Sequence, residues 1–156
     1  MSRRPESGEK TVASNRRARF DYEILERLEA GIALSGSEVK SLRGGRASLS
    51  ESFARIESGE MWLENMHIPP YAQGEKRGYD PRRRRKLLVH RRQIEHLIGK
   101  TAERGLALVP IRVYFTHGLA KVELGLGKGK REFEKRQRIA EREHKREIEQ
   151  AAARRR

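Results

Sequence analysis

Cysteine is absent from this 156-residue sequence, which excludes disulfide bonds and thiolate metal sites and favours a reducing compartment. The first ten residues, MSRRPESGEK, contain no apolar stretch after their charges, so we expect no signal peptide. No segment approaches the roughly 20 consecutive apolar residues that a membrane-spanning helix needs. We therefore expect a soluble, cytoplasmic protein.

Acidic residues are outnumbered, because 36 Lys and Arg residues stand against 22 Asp and Glu residues and give a formal net charge of +14. The sequence pI of about 10.7 exceeds the value of about 9 that is typical of nucleic-acid-binding domains. Residues 127–156 alone hold 12 basic and 6 acidic groups. Binding to an anionic membrane would need a broad apolar helical face, which this segment lacks. The charge therefore favours nucleic acid as the partner.

The chain divides into three parts that differ in apolar content. Residues 1–14 are small and polar, and we expect a disordered arm. Residues 15–127 hold enough apolar side chains for one modest core. From 128 to 156 the chain is a basic tail, and its first sixteen residues include only Phe133, Ile139 and Ala140 as apolar side chains. Such a tail forms at best a marginal helix in water, so we expect it to be disordered until it binds a partner.

Hydrophobic alternation predicts a mainly β domain with two short helices. Two segments have the pattern of hairpins: SFARIESGEMWLENMHIPPY, which turns at Ser58 and Gly59, and LALVPIRVYFTHGLAKVELGLG. One short helix is expected after Ser37 as its cap and should end at Gly44 and Gly45. A second is expected over RRQIEHLIGKTAERG, and KLLVH fits a short strand or an anchoring segment. Five or six strands without a parallel crossover favour a small antiparallel barrel.

The segment YEILERLEAG is ambiguous. Ile24 and Leu28 have the spacing of one helical face, yet Tyr22, Ile24 and Leu28 are also in phase for a strand bent at Ala30 and Gly31. Periodicity leaves both alternatives open.

Two sets of residues are expected to fill the core. The alternation of KVELGLG predicts that Lys121 faces outward and that its neighbours of opposite phase face inward. These inward residues are Val122, Leu124 and Leu126. Three aromatic residues in alternating strands are expected to pack in the core as well, namely Trp62, Tyr114 and Phe115.

Seven motifs follow one another along the chain: SNRRARFDYEI, EAGIALSGSEVKSLRGG, NMHIPPY, DPRRRRKLL, IGKT, KVELGLGKGK and EKR. In order and spacing they resemble the SsrA-binding protein (SmpB) family, the bacterial protein partners of transfer-messenger RNA, from about Ala13 to Arg136. The resemblance implies a Greek-key barrel related to the OB-fold, a bent strand over residues 21–34, and a flexible basic C-terminal tail. It further implies an RNA-binding adaptor, not an enzyme. Such an adaptor binds the tRNA-like domain of transfer-messenger RNA and delivers it to stalled ribosomes for trans-translation, peptide tagging and ribosome rescue.

One amide and three arginines precede the ambiguous segment. The amide of Asn15 can donate and accept at a base edge or a 2′-hydroxyl, and Arg16, Arg17 and Arg19 can fork onto phosphates. From the residues alone, a solvated charged leader is an equal alternative. The resemblance implies that Asn15 contacts RNA, and Tyr22 offers a ring for stacking on a base.

Four further residues of the body are candidates for RNA binding. Glu29 repels phosphates unless it meets donors such as guanine N1–H and N2–H2 or neighbouring arginines, and a plain surface glutamate is the alternative. Residues 82–92, RRRRKLLVHRR, hold seven basic side chains and no acid, so this run gains from a phosphate partner unless it is a flexible loop. The resemblance implies that Glu29 contacts RNA, and likewise Lys86, Leu88 and Lys121.

The resemblance gives the tail a receptor, the empty messenger channel of the small ribosomal subunit near the decoding site. Basic side chains would neutralise phosphates there, and an aromatic ring would stack. The residues expected to bind the ribosome are Lys128, Gly129, Lys130, Arg131, Phe133, Glu134, Lys135 and Arg136. An intact messenger would occupy the same channel, so the tail would select stalled ribosomes by exclusion.

Two other classes of function are weaker. A small ribonuclease needs a paired acid and base, but the five histidines are scattered and no acidic cluster suggests a metal site. A structural ribosomal or ribosome-assembly protein, with the tail as a permanent anchor, is the remaining alternative. We therefore expect a monomer with no catalytic residues, cofactor or metal, whose partners are transfer-messenger RNA and the ribosome and not a membrane.

Overall fold

The computed structural model describes residues 9–72, 74, 77–103, 105–130 and 132–154. The strands within these residues are β1 (Lys10–Ser14), β2 (Tyr22–Ile32), β3 (Phe53–Glu57), β4 (Glu60–Glu64), β5 (Arg85–Leu88), β6 (Leu106–Thr116) and β7 (Leu119–Gly129). The helices within them are α1 (Arg16–Asp21), α2 (Gly36–Arg43), α3 (Arg91–Thr101) and α4 (Glu132–Arg154).

The sheet closes into a barrel because β7 pairs with both β2 and β6. The β2–β7 ladder runs from Tyr22 and Gly129 to Gly31 and Lys121, and the β6–β7 ladder covers nearly the whole of both strands. The remaining antiparallel pairs are β6–β3, β3–β4, β4–β5 and β5–β2, and β1 adds to β6. The sequential strands β3, β4 and β5 lie side by side and β2 returns beside β5, which is a Greek-key order. The predicted antiparallel barrel is confirmed.

The ambiguous segment is the strand β2, so its helical alternative is wrong. A register shift between Ile24 and Glu26 marks a bulge in the strand opposite β7. The expected bend at Ala30 and Gly31 stays a prediction. Further along, Gly31 pairs with Lys121 of β7 on one side and with Leu88 of β5 on the other. Ladder hydrogen bonds from two neighbouring strands override the weak helical periodicity of the sequence.

The core fills the barrel with side chains from all of its six ring strands and from two helices. The three residues predicted to face inward from β7, Val122, Leu124 and Leu126, are at most 1% exposed, which confirms the predicted phase of this strand. Helices α2 and α3 add Leu42 and Leu97, which are 0% and 2% exposed.

The three aromatic residues expected in the core are separated by strand alternation. Phe115 packs in the core cluster, as predicted. Tyr114 is only 1% exposed but is not part of that cluster, because it is the neighbour of Phe115 on β6 and points to the opposite face. Trp62 was predicted wrongly, since the inward positions of β4 belong to Met61 and Leu63. Its ring lies outside, 4.2 Å from the Arg84 guanidinium carbon.

The N-terminal segment is ordered further toward the start of the chain than the sequence predicted. We expected a disordered arm over residues 1–14, but residues 10–14 form β1 against β6, and the short helix α1 follows. Val12 and Ala13 pack against the core, and the Asn15 N–H donates to Ile111 O at 2.8 Å. Pairing with a strand about 100 residues away cannot be read from a short polar segment. Residues 1–8 lie outside the described residues.

Helix α2 begins two residues earlier than predicted. Ser35, not Ser37, is the N-cap: its Oγ accepts from the Glu38 N–H at 3.2 Å, and the Glu38 carboxylate accepts from the Ser35 N–H at 2.9 Å. This reciprocal pair is a capping box. The predicted glycine stop is present, with Gly44 as the C-cap and Gly45 at a φ of +71°.

Glu38 also forms a buried ion pair that joins α2 to β5. Its Oε2 accepts from Arg85 Nε at 2.5 Å, and Arg83 donates to its Oε1. The two side chains of the Glu38–Arg85 pair are 1% and 0% exposed. Burial by itself raises the pKa of Glu38, but the hydrogen bonds from Arg83, the Ser35 N–H and Arg85 outweigh it and hold this pKa below its ordinary value. Arg85 in turn donates to Met66 O at 2.7 Å.

We predict that Glu38→Gln lowers the free energy of unfolding by about 3–5 kcal/mol, because it leaves the buried Arg85 charge unpaired. Urea denaturation at pH 7 measures this loss. Since the folded pKa of Glu38 is depressed, its contribution is present above the unfolded value and is lost as pH falls through the folded pKa. The gap between wild type and variant should therefore narrow below about pH 4.

The exposed pair of Glu57 with Arg84 supplies the control, because Glu57→Gln removes a carboxylate of the same chemistry from solvent. It should change stability much less than Glu38→Gln. Equal losses from the two variants would show that the buried pair has no special weight.

Two glycines of β7 leave room for side chains of the neighbouring strands β2 and β6. A Cβ on Gly127 would lie 2.8 Å from Tyr22 Cβ, and a Cβ on Gly125 would lie 2.9 Å from Ile111 Cδ1 and 3.1 Å from Ile24 Cδ1. Real Cβ atoms do not approach other atoms this closely, so a larger residue at either position must displace a neighbour. The Tyr22 ring therefore packs against the backbone of β7 at Gly127.

We predict that Gly127→Ala destabilises the fold by about 1–3 kcal/mol, the usual effect of overpacking, and moves the Tyr22 ring. Urea denaturation and the NMR signals of the Tyr22 ring report the two effects. Gly99→Ala is the matched control, because Gly99 lies in α3 and a built Cβ meets no atom within 4 Å apart from its chain neighbours and the backbone of its own helix. The control should be neutral or stabilising by up to about 1 kcal/mol, and a loss of the same size in both variants would contradict the close approach.

Candidate nucleic-acid interface

Four residues that the sequence predicts to bind RNA line one groove on the outer face of the barrel. Strands β2, β5 and β7 supply Glu29, Lys86, Leu88 and Lys121, and α3 forms the facing wall with residues such as Ile94. The groove has a volume of about 520 Å³. We call it the Glu29 groove. Residues from three separate motifs of the sequence thus converge on one surface.

Gly31 brings the apolar and basic members of this groove together. It pairs with Leu88 on one side and with Lys121 on the other. A Cβ on Gly31 would lie 3.3 Å from Leu88 Cβ, so a larger residue at position 31 would crowd the Leu88 side chain. Leu88 is 55% exposed and offers an apolar contact to a base or ribose. Lys86 Nζ lies 3.0 Å from Glu60 Oε1 in an exposed pair, which an RNA phosphate can replace at small cost.

The carboxylate of Glu29 has two partners on the same face of the barrel. The hydroxyl of Tyr114 donates to its Oε2, and Lys121 Nζ lies 3.8 Å from its Oε1. The sequence suggested guanine or neighbouring arginines as donors, whereas the structure supplies a buried tyrosine and a lysine. The ammonium group also offsets the carboxylate charge, which weakens the repulsion of phosphates.

Next to Glu29 runs a chain of four alternating charges that sequence analysis missed. Glu123 accepts from Arg27 and from Arg112, each at 2.8 Å, and Arg112 also donates to Glu9 at 3.1 Å. Burial by itself raises the pKa of Glu123, but hydrogen bonds from Arg112 and Arg27 outweigh it and lower the pKa. The outward phase of Glu123 on β7 was the available signal, because it is the same phase as Lys121.

Three other predicted residues line a second groove, beside α1. Asn15, Arg17 and Tyr22 lie there with Phe53 of β3, which is 45% exposed. This groove has a volume of about 850 Å³, and we call it the Asn15 groove. Tyr22 and Glu29 are seven residues apart on β2, so these two residues are about 23 Å apart along the strand. A ligand that contacts both must be at least that long.

The amide of Asn15 already has two partners within the protein. Its Oδ1 accepts from the Ala18 N–H at 3.2 Å, and its Nδ2 donates to Pro110 O at 3.0 Å. Asn15 therefore caps α1 and fastens it to β6. The second N–H of the amide and the remaining lone pair of Oδ1 are the groups left for RNA. An RNA contact by Asn15 stays a prediction.

The three arginines after Asn15 are exposed on α1, where they are free to approach a polyanion. Arg17 Nε lies 3.5 Å from Asp21 Oδ2 in a solvent-facing i,i+4 pair. Arg16 and Arg19 are exposed as well. Such placement fits a phosphate contact and a solvated leader equally.

The arginine run at residues 82–85 is not a strip of unpaired cations, contrary to what its sequence suggests. Every arginine in it has a partner from another part of the chain: Arg82 contacts Asn65, Arg83 and Arg85 contact Glu38, and Arg84 contacts Glu57 and Glu64. These hydrogen-bond partners lie 17 to 47 residues away in sequence. Charge counting within a short window cannot detect them. Arg85 is fully buried and cannot reach a phosphate. The partners of Arg82, Arg83 and Arg84 are contacts of more exposed side chains, so a phosphate contact by these three arginines stays a prediction.

The first residues assigned to the tail belong to the barrel. Lys128 and Gly129 are the last residues of β7, so the body extends beyond the predicted end at residue 127. Lys130 is fastened to α1 and its end, because its Nζ donates to Arg19 O at 2.8 Å and its N–H donates to Asp21 O at 2.9 Å. The tail therefore leaves the body beside the Asn15 groove, whose wall includes Asp21.

Helix α4 follows from Glu132 to Arg154, and its described side chains, at residues 139–153, are exposed. Ile139 and Ile148 are 42% and 56% exposed, as expected of a helix with little apolar surface to bury. Disorder of the tail in the free protein stays a prediction. Arg131 lies outside the described residues, as do the side chains of Phe133, Glu134, Lys135 and Arg136.

No group of three or more histidine or acidic side chains in the described part of the chain is placed to hold a metal ion. Over the same residues, no helix combines the length and the apolar character needed to cross a bilayer.

Comparison with known proteins gives one consistent family. A family profile described as "SmpB protein" matches residues 12–154. Similar proteins named "SsrA-binding protein" include those of Desulforudis audaxviator, 59% identical over 152 residues, and Carboxydothermus hydrogenoformans, 58% identical over 143 residues. The first alignment covers 97% of each chain, and the second covers 92% of this chain and 96% of the relative.

A solved structure agrees with these relatives. A chain from the structure described as "tmRNA-SmpB: a journey to the center of the bacterial ribosome" is 56% identical to this chain, with a TM-score of 0.65. The match covers 76% of this chain and 84% of that one. With a profile match over most of its length and relatives near 60% identity, the chain belongs to the SmpB family.

Proposed function

We propose that this protein is an RNA-binding adaptor of trans-translation, which binds the tRNA-like domain of transfer-messenger RNA and delivers it to stalled ribosomes. Family membership supports the proposal, and so does the structural neighbour, whose description names transfer-messenger RNA and the ribosome. The observation that carries it furthest is the Glu29 groove, where motifs from three strands meet. In this role the protein is cytoplasmic and has no catalytic step of its own.

The composition of the Glu29 groove suits a folded RNA better than a plain polyanion. Lys86 and Lys121 attract phosphates, while Leu88 offers an apolar surface and Glu29 accepts a hydrogen bond from a base or a ribose. A protein that bound RNA by charge alone would gain nothing from a carboxylate at this position. Glu29 therefore provides selectivity, and the lysines provide affinity.

The alternative of a structural ribosomal or ribosome-assembly protein has no observation in its favour. The relatives reported above are all named for SsrA binding. A permanent anchor would also not require a selective carboxylate in the groove. The tail is better explained as a segment that enters the messenger channel only when it is empty.

We predict that Glu29→Gln weakens binding to the tRNA-like domain about tenfold, the effect of losing one charge-assisted hydrogen bond. The same variant should bind an ordinary elongator tRNA as well as wild type or more tightly, because a repulsive charge is gone. Gel-shift titration of both RNAs at one salt concentration measures the two effects.

The matched control for this test is Glu95→Gln, which removes an exposed carboxylate on α3 whose partner is Arg91 at 3.8 Å. It should leave the preference for the tRNA-like domain unchanged. If Glu29→Gln strengthens binding to both RNAs alike, the groove contributes only nonspecific electrostatics and the proposed site is wrong.

We predict that joint replacement of Phe133, Lys135 and Arg136 by alanine in the full chain reduces peptide tagging at least about tenfold, because a stacked ring and two phosphate contacts are lost. Binding to the tRNA-like domain should change less than about twofold, since no described residue of the tail lines either groove. A reconstituted translation assay on a messenger without a stop codon measures tagging. Lys130 is excluded from this variant because its ammonium group contacts α1. Parallel losses of tagging and RNA affinity would contradict the separate roles of barrel and tail.

A further inference from the structure

Tyr114 is buried, as expected, but it points to the outer face of the barrel and is not part of the hydrophobic cluster that fills the barrel. It is 1% exposed, and the guanidinium carbon of Arg112 lies 4.0 Å from the centre of its ring. Arg112 is itself held by Glu9 and Glu123. The ring is thus covered by a fixed cation, and its hydroxyl points to Glu29. Packing alone does not account for a phenol at this place, because phenylalanine would fill the same space.

Register explains why the hydroxyl reaches the groove. Tyr114 of β6 is directly opposite Lys121 of β7, and Lys121 is directly opposite Gly31 of β2. Glu29 is two residues before Gly31 and therefore points to the same face. Three adjacent strands thus bring the phenol, the ammonium and the carboxylate together at one point of the barrel surface.

Glu29 needs such a partner because its direct neighbour across the β2–β7 ladder is another carboxylate, Glu123. Like charges placed opposite each other on two strands repel. Glu123 accepts hydrogen bonds from Arg27 and Arg112. Glu29 instead accepts from the hydroxyl of Tyr114 and lies near the ammonium group of Lys121. The two carboxylates are therefore drawn toward different donors.

The phenol can act only as the donor in this bond. Burial raises the pKa of Tyr114, and the hydrogen bond to the nearby Glu29 carboxylate raises it further. The hydroxyl consequently keeps its proton across the physiological range. Oε2 of Glu29 accepts this hydrogen bond, whereas Oε1 faces Lys121 at 3.8 Å and the open part of the groove.

We propose that Tyr114 is the positioning residue for Glu29: it fixes Oε2 and so aims Oε1 at an N–H or O–H donor of the bound RNA. This inference rests on the proposed function, because it assumes that the Glu29 groove receives the tRNA-like domain. Tyr114 itself does not touch the RNA, since it is buried. The arrangement favours a single RNA donor at Oε1 over a guanine edge that would need both oxygens.

The test compares Tyr114→Phe with Tyr79→Phe in the full-length protein. Tyr79 is the matched control, because its hydroxyl donates to Ile68 O at 2.7 Å and it is not part of the Glu29 groove. We expect Tyr114→Phe to weaken binding to the tRNA-like domain about tenfold. Tyr79→Phe should leave this affinity within about twofold of wild type, even if it lowers stability as much.

A double-mutant cycle separates positioning from a structural role. Once Glu29→Ala has removed the carboxylate, Tyr114→Phe should weaken RNA binding by less than about twofold further. Additive losses, or equal losses from the two tyrosine variants, would overturn the inference. If Glu29→Ala weakens RNA binding and Tyr114→Phe does not, the inference fails while the proposed function stands. If Glu29→Ala has no effect, the inference fails and so does the assignment of the Glu29 groove as the RNA site.

A measurement on the native tyrosine keeps the inference testable if Tyr114→Phe does not fold. NMR of protein labelled with ¹³Cζ-tyrosine reports the hydrogen bond of the Tyr114 phenol through its Cζ signal at neutral pH. Removing the carboxylate by Glu29→Ala should shift this signal, since the acceptor of the phenol is gone. An unchanged signal would show that the bond to Glu29 is not formed in solution.

Discussion

Strand β7 pairs along its length with two neighbours, β2 and β6, and this double pairing decides both the core and the site. Because side chains alternate along a strand, one phase of β7 fills the barrel with Val122, Leu124 and Leu126, and the other phase faces outward with Lys121 and Glu123. The same alternation brings outward residues of β2 and β6 beside them. A shift of one residue in either ladder would exchange core and site, so the barrel interior fixes the position of the groove.

The excess of positive charge is distributed differently from what the sequence alone suggests. Many arginines are held by carboxylates from distant segments, among them the buried Arg85 and the half-buried Arg112. Such pairs connect distant segments of the fold, and the arginines in them contribute little to phosphate binding. The exposed arginines of α1 and the two lysines of the Glu29 groove remain accessible to RNA. Selectivity on such a surface depends on Glu29, a carboxylate that a charge count would place among the unfavourable groups.

The sequence was sufficient for the barrel, for both tight hairpins and for the phase of β7, because local alternation and turn glycines specify these features. It was insufficient wherever the deciding contact is distant. β1 depends on its pairing with β6, about 100 residues away. Two other errors were local: the capping box joins Ser35 to Glu38, and Trp62 lies outside because Met61 and Leu63 take the inner positions. For the candidate site, the sequence motifs identified Glu29 and Lys121. They did not identify Tyr114, because alternation alone does not tell which of two adjacent aromatic residues faces inward.

The account depends on RNA occupying the Glu29 groove, and methyl NMR of the complex with the tRNA-like domain tests this directly. Leu88 is 55% exposed inside the groove, and Leu119 is 62% exposed at the start of β7, outside it. With methyl-labelled leucines and unlabelled RNA, intermolecular NOEs to ribose or base protons should appear at the Leu88 methyls and not at those of Leu119. NOEs at Leu119 with none at Leu88 would contradict the account.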